Sequence, residues 1–547
     1  MLFRSGGFSV EKKLTYLTER SLHRIFRRAA QEATALNLPA PKVLLPFYPG
    51  IPGHLPTVAR MHGFIGGVLA KFSEGTVPEK EHAKLKWQSS SESPALDTIL
   101  GHVIDAKDPE SLLGVGSAMA KQLDYHQVPT LILAHWPSRS SVVFRDLVRC
   151  MKNTPALGRW ICADEYFETT SQPYWSDEFG TQHFPFPISR EPKRIHAIQR
   201  GLIRLHQLQY RAERLLDAIL CTRMAIDDQQ CDWLQQVERV LDLLDQLGTQ
   251  ASDQLEHPEL WDAGIETDLN RIEGEVGNWL ARKLALPSGC LVFHPASHPR
   301  RHYFEDSVDV PPFGFTWLPS APASDSLVDG VRHSDRGSNK AQAKPKLIDK
   351  FLGKRVGIAQ PDGSLANEFL EVQVDPVKGH LRSLYVREQR GNRLSGMLAL
   401  AMAPLEPNRK ISETDLLPMQ DVRMEVDNAC ATVGLVSVRG AFKSDAGNSN
   451  RGPEVAIHYR MRSGAKWIEV VIEGEGFRPE EHHPVWRMIW PNEASSLNAW
   501  SYGNRSKWLG PLQANVELIE IDDALTRICF ATGGLSFHRR DGGNQLQ

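Results

Sequence analysis

The chain has 547 residues, 41% of them apolar and 24% charged; the length calls for more than one core, and the composition excludes an extended disordered polymer. Its 63 basic and 66 acidic residues are intermixed and leave a net charge of −3, which excludes the basic surface that a nucleic acid or an anionic membrane would require. No run approaches the roughly eighteen apolar residues of a membrane-spanning helix.

The N-terminus, MLFRSGGFSVEKKL, has no apolar core of the kind a signal peptide carries and runs straight into a helix-like stretch. A cytoplasmic location is therefore the default expectation, with the natural start left open. Cys150, Cys162, Cys221, Cys231, Cys290, Cys430 and Cys529 are dispersed without a CxxC pair, a pattern of isolated thiols in a reducing compartment.

To about residue 186, short apolar runs alternate with helical patches. SLHRIFRRAAQEATAL (21–36) predicts an amphipathic helix, and VLLPFY (43–48) and PTLILAHW (129–136) predict buried strands. This alternation predicts an α/β layer or a partial β/α-barrel over 1–186. Residues 44–64, LLPFYPGIPGHLPTVARMHGF, read as a strand, a Pro/Gly turn and a helix start. A barrel enzyme mounts a reactive side chain at such a place, yet Leu45, Pro46, Phe47 and Tyr48 offer none. Carboxylates come in sequence neighbours: Asp105 and Asp108, Asp164 and Glu165, Asp177 and Glu178. Neighbours in sequence rarely face each other as a working pair must, so a true pair would join distant positions. DEYFETT (164–170) follows the apolar ICA and is predicted at a strand's end, which makes Asp164 and Glu165 candidates for contact with a ligand and for catalysis.

From 187 to 286 the pattern is helical. RIHAIQRGLIRLHQLQYRAERLLDAIL, CDWLQQVERVLDLLDQL and LNRIEGEVGNWLARKLAL each carry an apolar stripe at helical spacing, and a three-helix bundle is the economical reading. From 287 to 547 the texture is β. Hairpins are predicted at 367–386, turning at DPVKG, and at 455–476, turning at SGAK; together with other alternating runs they predict a β-sandwich. GMLALAMAPL reads as a core run, and 320–346, nearly devoid of apolar residues, as a flexible loop. The fold class expected is thus multidomain: α/β, then α, then β.

Three histidines, His294, His298 and His302, recur at every fourth position, but Pro295 and Pro299 lie among them and break a helix. In extended chain, residues four apart are separated by roughly 13 Å, whereas zinc ligands sit about 2 Å from the metal. No metal site is expected there, and His482–His483 reads as a solvated pair. The chain has no P-loop, GxGxxG or GxSxG motif.

The order of these regions resembles glycoside hydrolase family 38, the α-mannosidases. LVFHPASHPRR and FGFTWLPS are similar to the family's entry to its β region, and SLANEFLEVQVDPVKGHLRSLYVREQRGNRLS (364–395) to its "LENxxxxVxxDxxxGxIxSLxD…N" strand pair. The resemblance implies a retaining mechanism in which one Asp is both nucleophile and zinc ligand, a second Asp is the acid/base, and a His-x-Asp pair and a late His complete the metal site. It places the nucleophile's "D-P-F-G-H" turn on LPFYPGIPGH, with Leu45 at the Asp position. The acid/base falls near Pro137 or Ser138, and the late "HHD" on YWSDEFGT, with Tyr174 and Trp175 at the histidines. The early His-x-Asp strand has no counterpart, as in a piece that starts after it, and the chain ends within β texture. Zinc is therefore the cofactor the family implies, while its ligands are not found in this sequence.

Two functions follow as expectations. One is a glycan-acting enzyme whose carboxylates, Asp164 and Glu165, depart from the family's, with His135 nearby. The other is a non-catalytic glycan binder in which Phe47, Tyr48, His135, Trp136 and Tyr166 present flat apolar faces and hydrogen bonds. The partner in both is a glycan or glycoside, not a nucleic acid or a membrane; the sequence leaves the sugar, the linkage and the oligomeric state open.

Overall fold

The computed structural model describes residues 14, 17–46, 51–71, 83–89, 93–120, 131–135, 140–153, 160–171, 173, 175–179, 192–226, 232–249, 252–294, 297, 299–303, 307–319, 358–401, 412–430, 432–442, 452–475, 483–490, 496–501, 504–508, 512–514, 518–522, 527–532, 537–540 and 545–546. The first elements are α1 (Glu19–Ala35), β1 (Val43–Leu44), α2 (Leu55–Met61), β2 (Gly66–Leu69), β3 (Lys84–Gln88), β4 (Leu96–Leu100) and β5 (His102–Asp105). Then come α3 (Leu113–Ala120), β6 (Ile132–His135), α4 (Val142–Asn153), α5 (Ala163–Thr169) and β7 (Ser176–Glu178). Helices α6 (Pro192–Ile226), α7 (Trp233–Thr249), α8 (Ser252–Leu255) and α9 (Asp262–Lys283) follow. The strands resume with β8 (Gly289–His294), β9 (Arg300–Tyr303), β10 (Ser307–Val310), β11 (Gly314–Pro319), β12 (Ser364–Ala366), β13 (Leu370–Val374), β14 (Leu381–Val386), β15 (Ser395–Ala401) and β16 (Leu416–Leu417). They continue with β17 (Met419–Cys430), β18 (Val433–Phe442), β19 (Glu454–Arg462), β20 (Ile468–Glu475), β21 (His483–Ile489) and β22 (Ser496–Ser501). The last are β23 (Asn504–Lys507), β24 (Leu512–Ala514), β25 (Leu518–Asp522), β26 (Arg527–Ala531), β27 (Phe537–Arg539) and β28 (Gln545–Leu546).

These elements form two compact units. The first comprises Met1–Gln209, Asp242–Asp262 and Ser495–Arg539; the second Tyr210–Leu241, Ala263–Ala494 and Arg540–Gln547.

The first unit is built on a five-stranded sheet of order β1-β2-β4-β3-β7. Strands β1, β2 and β4 run parallel, β3 runs antiparallel to β4, and β7 runs parallel to β3. Past Gly101, the chain of β4 continues as β5, which pairs in parallel with β6. Side chains alternate across the sheet as a pleat requires. Leu44, Leu69, Leu85, Trp87 and Leu96 join Leu22, Ile25 and Phe26 of α1 and Leu55 and Val58 of α2 in one apolar cluster. Val43, Val68 and Ile99 pack on the other face with Tyr166 and Phe167 of α5. The strand predicted over 43–48 ends at Leu44; Pro46 lacks the N–H that would extend its ladder.

Helix α1 starts where Thr18 accepts a hydrogen bond from the Ser21 backbone N–H. Its polar side carries a buried network. The Asp245 carboxylate of α7 accepts from Ser21 Oγ at 2.6 Å, from Arg24 Nε and Nη2 at 2.8 and 2.9 Å, and from Gln209 Nε2 at 3.2 Å. A further sheet of this unit, β23-β22-β25-β26, buries Glu520, which accepts from Asn498 Nδ2 and Trp500 Nε1.

In the second unit, β12-β13-β14 and β17-β18-β19-β20 form two antiparallel sheets whose residues share one apolar cluster, including Leu365, Val372, Val374, Val436, Ile457 and Tyr459. Both predicted hairpins are present, as β13–β14 and β19–β20. At the DPVKG turn, Asp375 Oδ1 accepts from the Val377 and Lys378 backbone N–H groups, and Gly379 takes a φ of 73° that favours glycine. The run predicted as core strand or helix, GMLALAMAPL, begins in β15. Arg211 of α6 pairs with Glu273 of α9, and Trp233 of α7 donates to Glu275 and packs edge-on against Trp279.

The chain is thus a multidomain protein of mixed helices and several sheets. The segment of the predicted loop at 320–346 lies outside the described residues, as do His298 and His482. His294 and His302 stand on β8 and β9, which belong to different two-stranded sheets, and His294 is buried. No helix among the described residues is long and apolar enough to cross a membrane.

Candidate functional site

Parallel strands present their C-terminal ends on one edge, and in α/β proteins that edge is where ligands are held. Here the edge is formed by β1, β2, the continuous β4–β5 and β6. The residues that close these strands are Leu45, Lys71, Asp105 and His135. Cα register sets Asp105 directly beside His135 on β5 and β6. A backbone bond from Ser141 N–H to Ala106 O, at 2.7 Å, ties the start of α4 to the end of β5.

Asp105 is exposed. One of its oxygens accepts from the Lys107 backbone N–H at 2.9 Å, and its carbonyl accepts from Ser111 Oγ at 2.6 Å. Asp108 caps the turn that follows, accepting from the Glu110 N–H at 3.0 Å. The two carboxylates are therefore each fixed to local backbone. Among the described residues the second oxygen of Asp105 takes no hydrogen bond, and its fixed orientation suits it to accept one from a ligand hydroxyl.

Leu45 stands on the same edge with the opposite character. Its side chain is half-buried and packs with Ile65, Val103 and Leu133 around the cluster of Val43, Val68 and Ile99. It supplies neither a nucleophile nor a metal ligand. Among the described residues, no group of three His, Cys, Asp or Glu side chains is placed to hold a metal ion. Zinc needs three or four donors about 2 Å away; a leucine seated in an apolar cluster and a carboxylate partly committed to a turn do not fit it.

Asp164 and Glu165 do not join this edge. The predicted strand-end is instead the short helix α5, with both carboxylates in its first turn. Its Glu168 accepts from Lys42 Nζ at 2.9 Å, holding that ammonium's pKa up, and Asp164 acts on the same lysine. Lys42 precedes β1, so α5 lies toward the N-terminal end of the strand whose C-terminal end carries Leu45. Tyr166 is 2% exposed. Burial, with the charge of Asp97, drives its hydroxyl pKa upward, so it is a core residue and not a surface for a sugar. Asp177 and Glu178 sit on β7, which runs against β1, β2 and β4, and so lie at the opposite edge of the sheet. Trp175 is 60% exposed, and its carbonyl accepts from the Lys86 N–H. Phe47, Tyr48, Trp136, Pro137, Ser138, Tyr174 and the side chain of His135 lie outside the described residues.

The pairing of Asp105 with His135 was not singled out from the sequence. HVID and ILAH, short apolar runs that each end on a polar residue, mark where two strands stop but not that those strands pair.

No family model matches the chain, and no curated protein matches it either. Among solved structures it is similar to an α-mannosidase from Enterococcus faecalis V583, with a TM-score of 0.62 at 12% identity, over 99% of this chain and 74% of the other. A 4-alpha-glucanotransferase from Thermococcus litoralis aligns with a TM-score of 0.28 at 8% identity, over 99% of this chain and 84% of the other; that similarity is too slight to bear on the fold. The likeness to the α-mannosidase is one of fold.

Proposed function

We propose that the chain is a divergent α-mannosidase-like protein of the family 38 type that recognises a glycan at the C-terminal edge of β1, β2, β5 and β6 without the family's zinc-dependent retaining chemistry. On this reading 1–186 is a partial β/α-barrel, 187–286 a three-helix bundle and 287–547 a β-sandwich. The scaffold's likeness to an α-mannosidase supports the glycan. The observation that carries the reading is Leu45: the position the resemblance gives to the nucleophile holds an alkyl side chain packed into the apolar cluster. An alkyl group can neither attack an anomeric carbon nor bind a metal, and a retaining mechanism loses its covalent step without that carboxylate.

A second reading rests on Asp105 and His135. On it, Asp105 and its register partner His135 at the strand edge supply the acid–base pair of a departed hydrolase. One experiment separates the two. The purified chain is titrated calorimetrically with methyl α-mannoside and α-linked mannobioses, and assayed on a panel of aryl glycosides with and without zinc. Heat of binding without turnover, unaltered by zinc, is the expected result. Turnover that zinc leaves unchanged and Asp105→Asn abolishes establishes the departed enzyme. Zinc-stimulated hydrolysis of the α-mannoside overturns the main proposal, and a folded chain that neither binds nor cleaves any of these sugars overturns both.

A further inference from the structure

The joint between α1 and α2 contains a histidine pair that the proposed site does not use. His23 Nδ1 and His62 Nε2 lie 2.8 Å apart. His23 sits on α1 between Glu19, whose carboxylate is 3.8 Å from its Nε2, and Arg27, one turn further on. His62 is the residue that ends α2. Phe26 packs against the His62 ring at 5.5 Å and against Phe64 at 5.1 Å. At the other end of α2, its N-cap His54 is 2% exposed. Three imidazoles therefore occupy the two helices that cover one face of the sheet.

We propose that this cluster is an acid-sensitive latch that holds α1 against α2 while the His23–His62 pair carries no more than one proton and releases it when the pair takes up a second. The hydrogen bond between His23 and His62 needs one ring nitrogen to accept, so the closed form tolerates at most one proton on the pair. Glu19 favours that first proton, and Arg27 and His54 oppose further charge. A second proton sets two imidazolium rings 2.8 Å apart with both facing nitrogens donors, and the bond is lost. Burial acts in the same direction, lowering the pKa of His23, His62 and, most of all, His54. The open form takes up protons with ordinary histidine affinity, so acidification below about pH 6.5 draws the equilibrium toward it. The opening constant rises about tenfold per pH unit for each proton gained on opening. Release bears on the edge carrying Leu45, because α2 is the first helix after β1 and both helices share a cluster with Leu44.

The test is hydrogen exchange of the full chain between about pH 7.5 and about pH 5, corrected for the intrinsic pH dependence of exchange and spanning the ordinary imidazole pKa. Opening of 19–35 and 55–61 is expected to grow tenfold or more per pH unit below pH 6.5, while β17–β20 stay protected. In His62→Gln, whose amide can still hydrogen-bond to His23, the slope falls by one proton. Ring 15N shifts of His23 and His62 in the unmodified chain supply a readout that needs no variant: two separated protonation steps are expected. Protection of α1 and α2 that ignores pH, an unchanged slope in His62→Gln with independent ring titrations, or equal loss across β17–β20 overturns the latch.

Discussion

Single side chains carry much of the specificity of this fold, and Asn367 is the fullest case. Its Oδ1 accepts from the Phe369 and Leu370 N–H groups at 2.9 and 2.8 Å, and its Nδ2 donates to the Arg462 and Ala465 carbonyls at 2.8 and 2.7 Å. One buried amide thus fixes the start of β13 to the β19–β20 turn. Asn367→Ala should lower stability by about 3 kcal/mol, since it leaves buried backbone groups without partners. Asn367→Asp keeps the acceptor side alone and should cost nearly as much, because an ionised carboxylate faces two carbonyl oxygens. Urea unfolding at neutral pH reports both; an Asp variant as stable as the parent would show that the two donated bonds contribute little. Leu45 makes the converse case. Restoring a carboxylate there by Leu45→Asp should destabilise the chain by about 1–3 kcal/mol, as a charge enters an apolar cluster, and should not produce zinc-dependent turnover. Zinc-stimulated hydrolysis in that variant would mean that the remaining metal ligands are in place after all.

At the scale of elements, packing decides what periodicity only suggests. The two hairpins are legible because alternation, a turn aspartate and a glycine coincide, and each cue has its counterpart in the observed register. Helix α5 was not legible: DEYFETT buries the adjacent Tyr166 and Phe167, which fits neither a strand's alternation nor a long helical stripe. Strand β7, Ser-Asp-Glu, has no apolar signal at all and exists because β3 offers it a ladder. The candidate edge was half legible. Leu45 could be placed from a motif, whereas Asp105 and His135 become neighbours through strand pairing that no local pattern encodes. What seats α5 is Gly66 of β2, where any Cβ would overlap the Phe167 ring. Gly66→Ala should therefore destabilise by about 1–3 kcal/mol through overpacking. Combined with Phe167→Leu, it should cost less than the sum of the single substitutions. Strict additivity in that double-mutant cycle would place the glycine's role in the backbone instead.

Over the whole molecule, the titrating groups are unevenly shared between the two units, and that asymmetry predicts how acid unfolds the chain. Burial pushes the His54 pKa down to about 3, so between that value and about pH 6.5 the folded form leaves His54 without the proton that it carries in the unfolded chain. The sign follows: the stability His54 contributes is complete above pH 6.5 and drains away as the pH falls. The loss is about 2 kcal/mol by pH 5 and reaches a ceiling of about 5 kcal/mol near pH 3. His23 and His62 add to it in the same direction. The first unit's half-buried Asp97 opposes it: desolvation holds its carboxyl up despite the ion pair with Lys84, so its folded form gains from acid. Among the described groups of the second unit, His380 is lowered by burial but partly restored by Asp375, Glu275 is held down by hydrogen bonds, and Glu368 and Asp375 are carboxylates whose burial is outweighed by hydrogen bonds that hold them down. Those carboxylates contribute only as the pH nears the ordinary carboxylate range of about 4. Against a typical total of about 5–15 kcal/mol, a loss of 2 kcal/mol by pH 5 is enough to separate the units. Urea titrations followed by exchange should show the midpoint for β1–β4 falling between pH 7.5 and pH 5 while that for β17–β20 holds. His54→Gln should flatten the first curve without moving the second. Parallel loss in both units would instead point to net charge repulsion spread over the chain, with no privileged place for the three histidines.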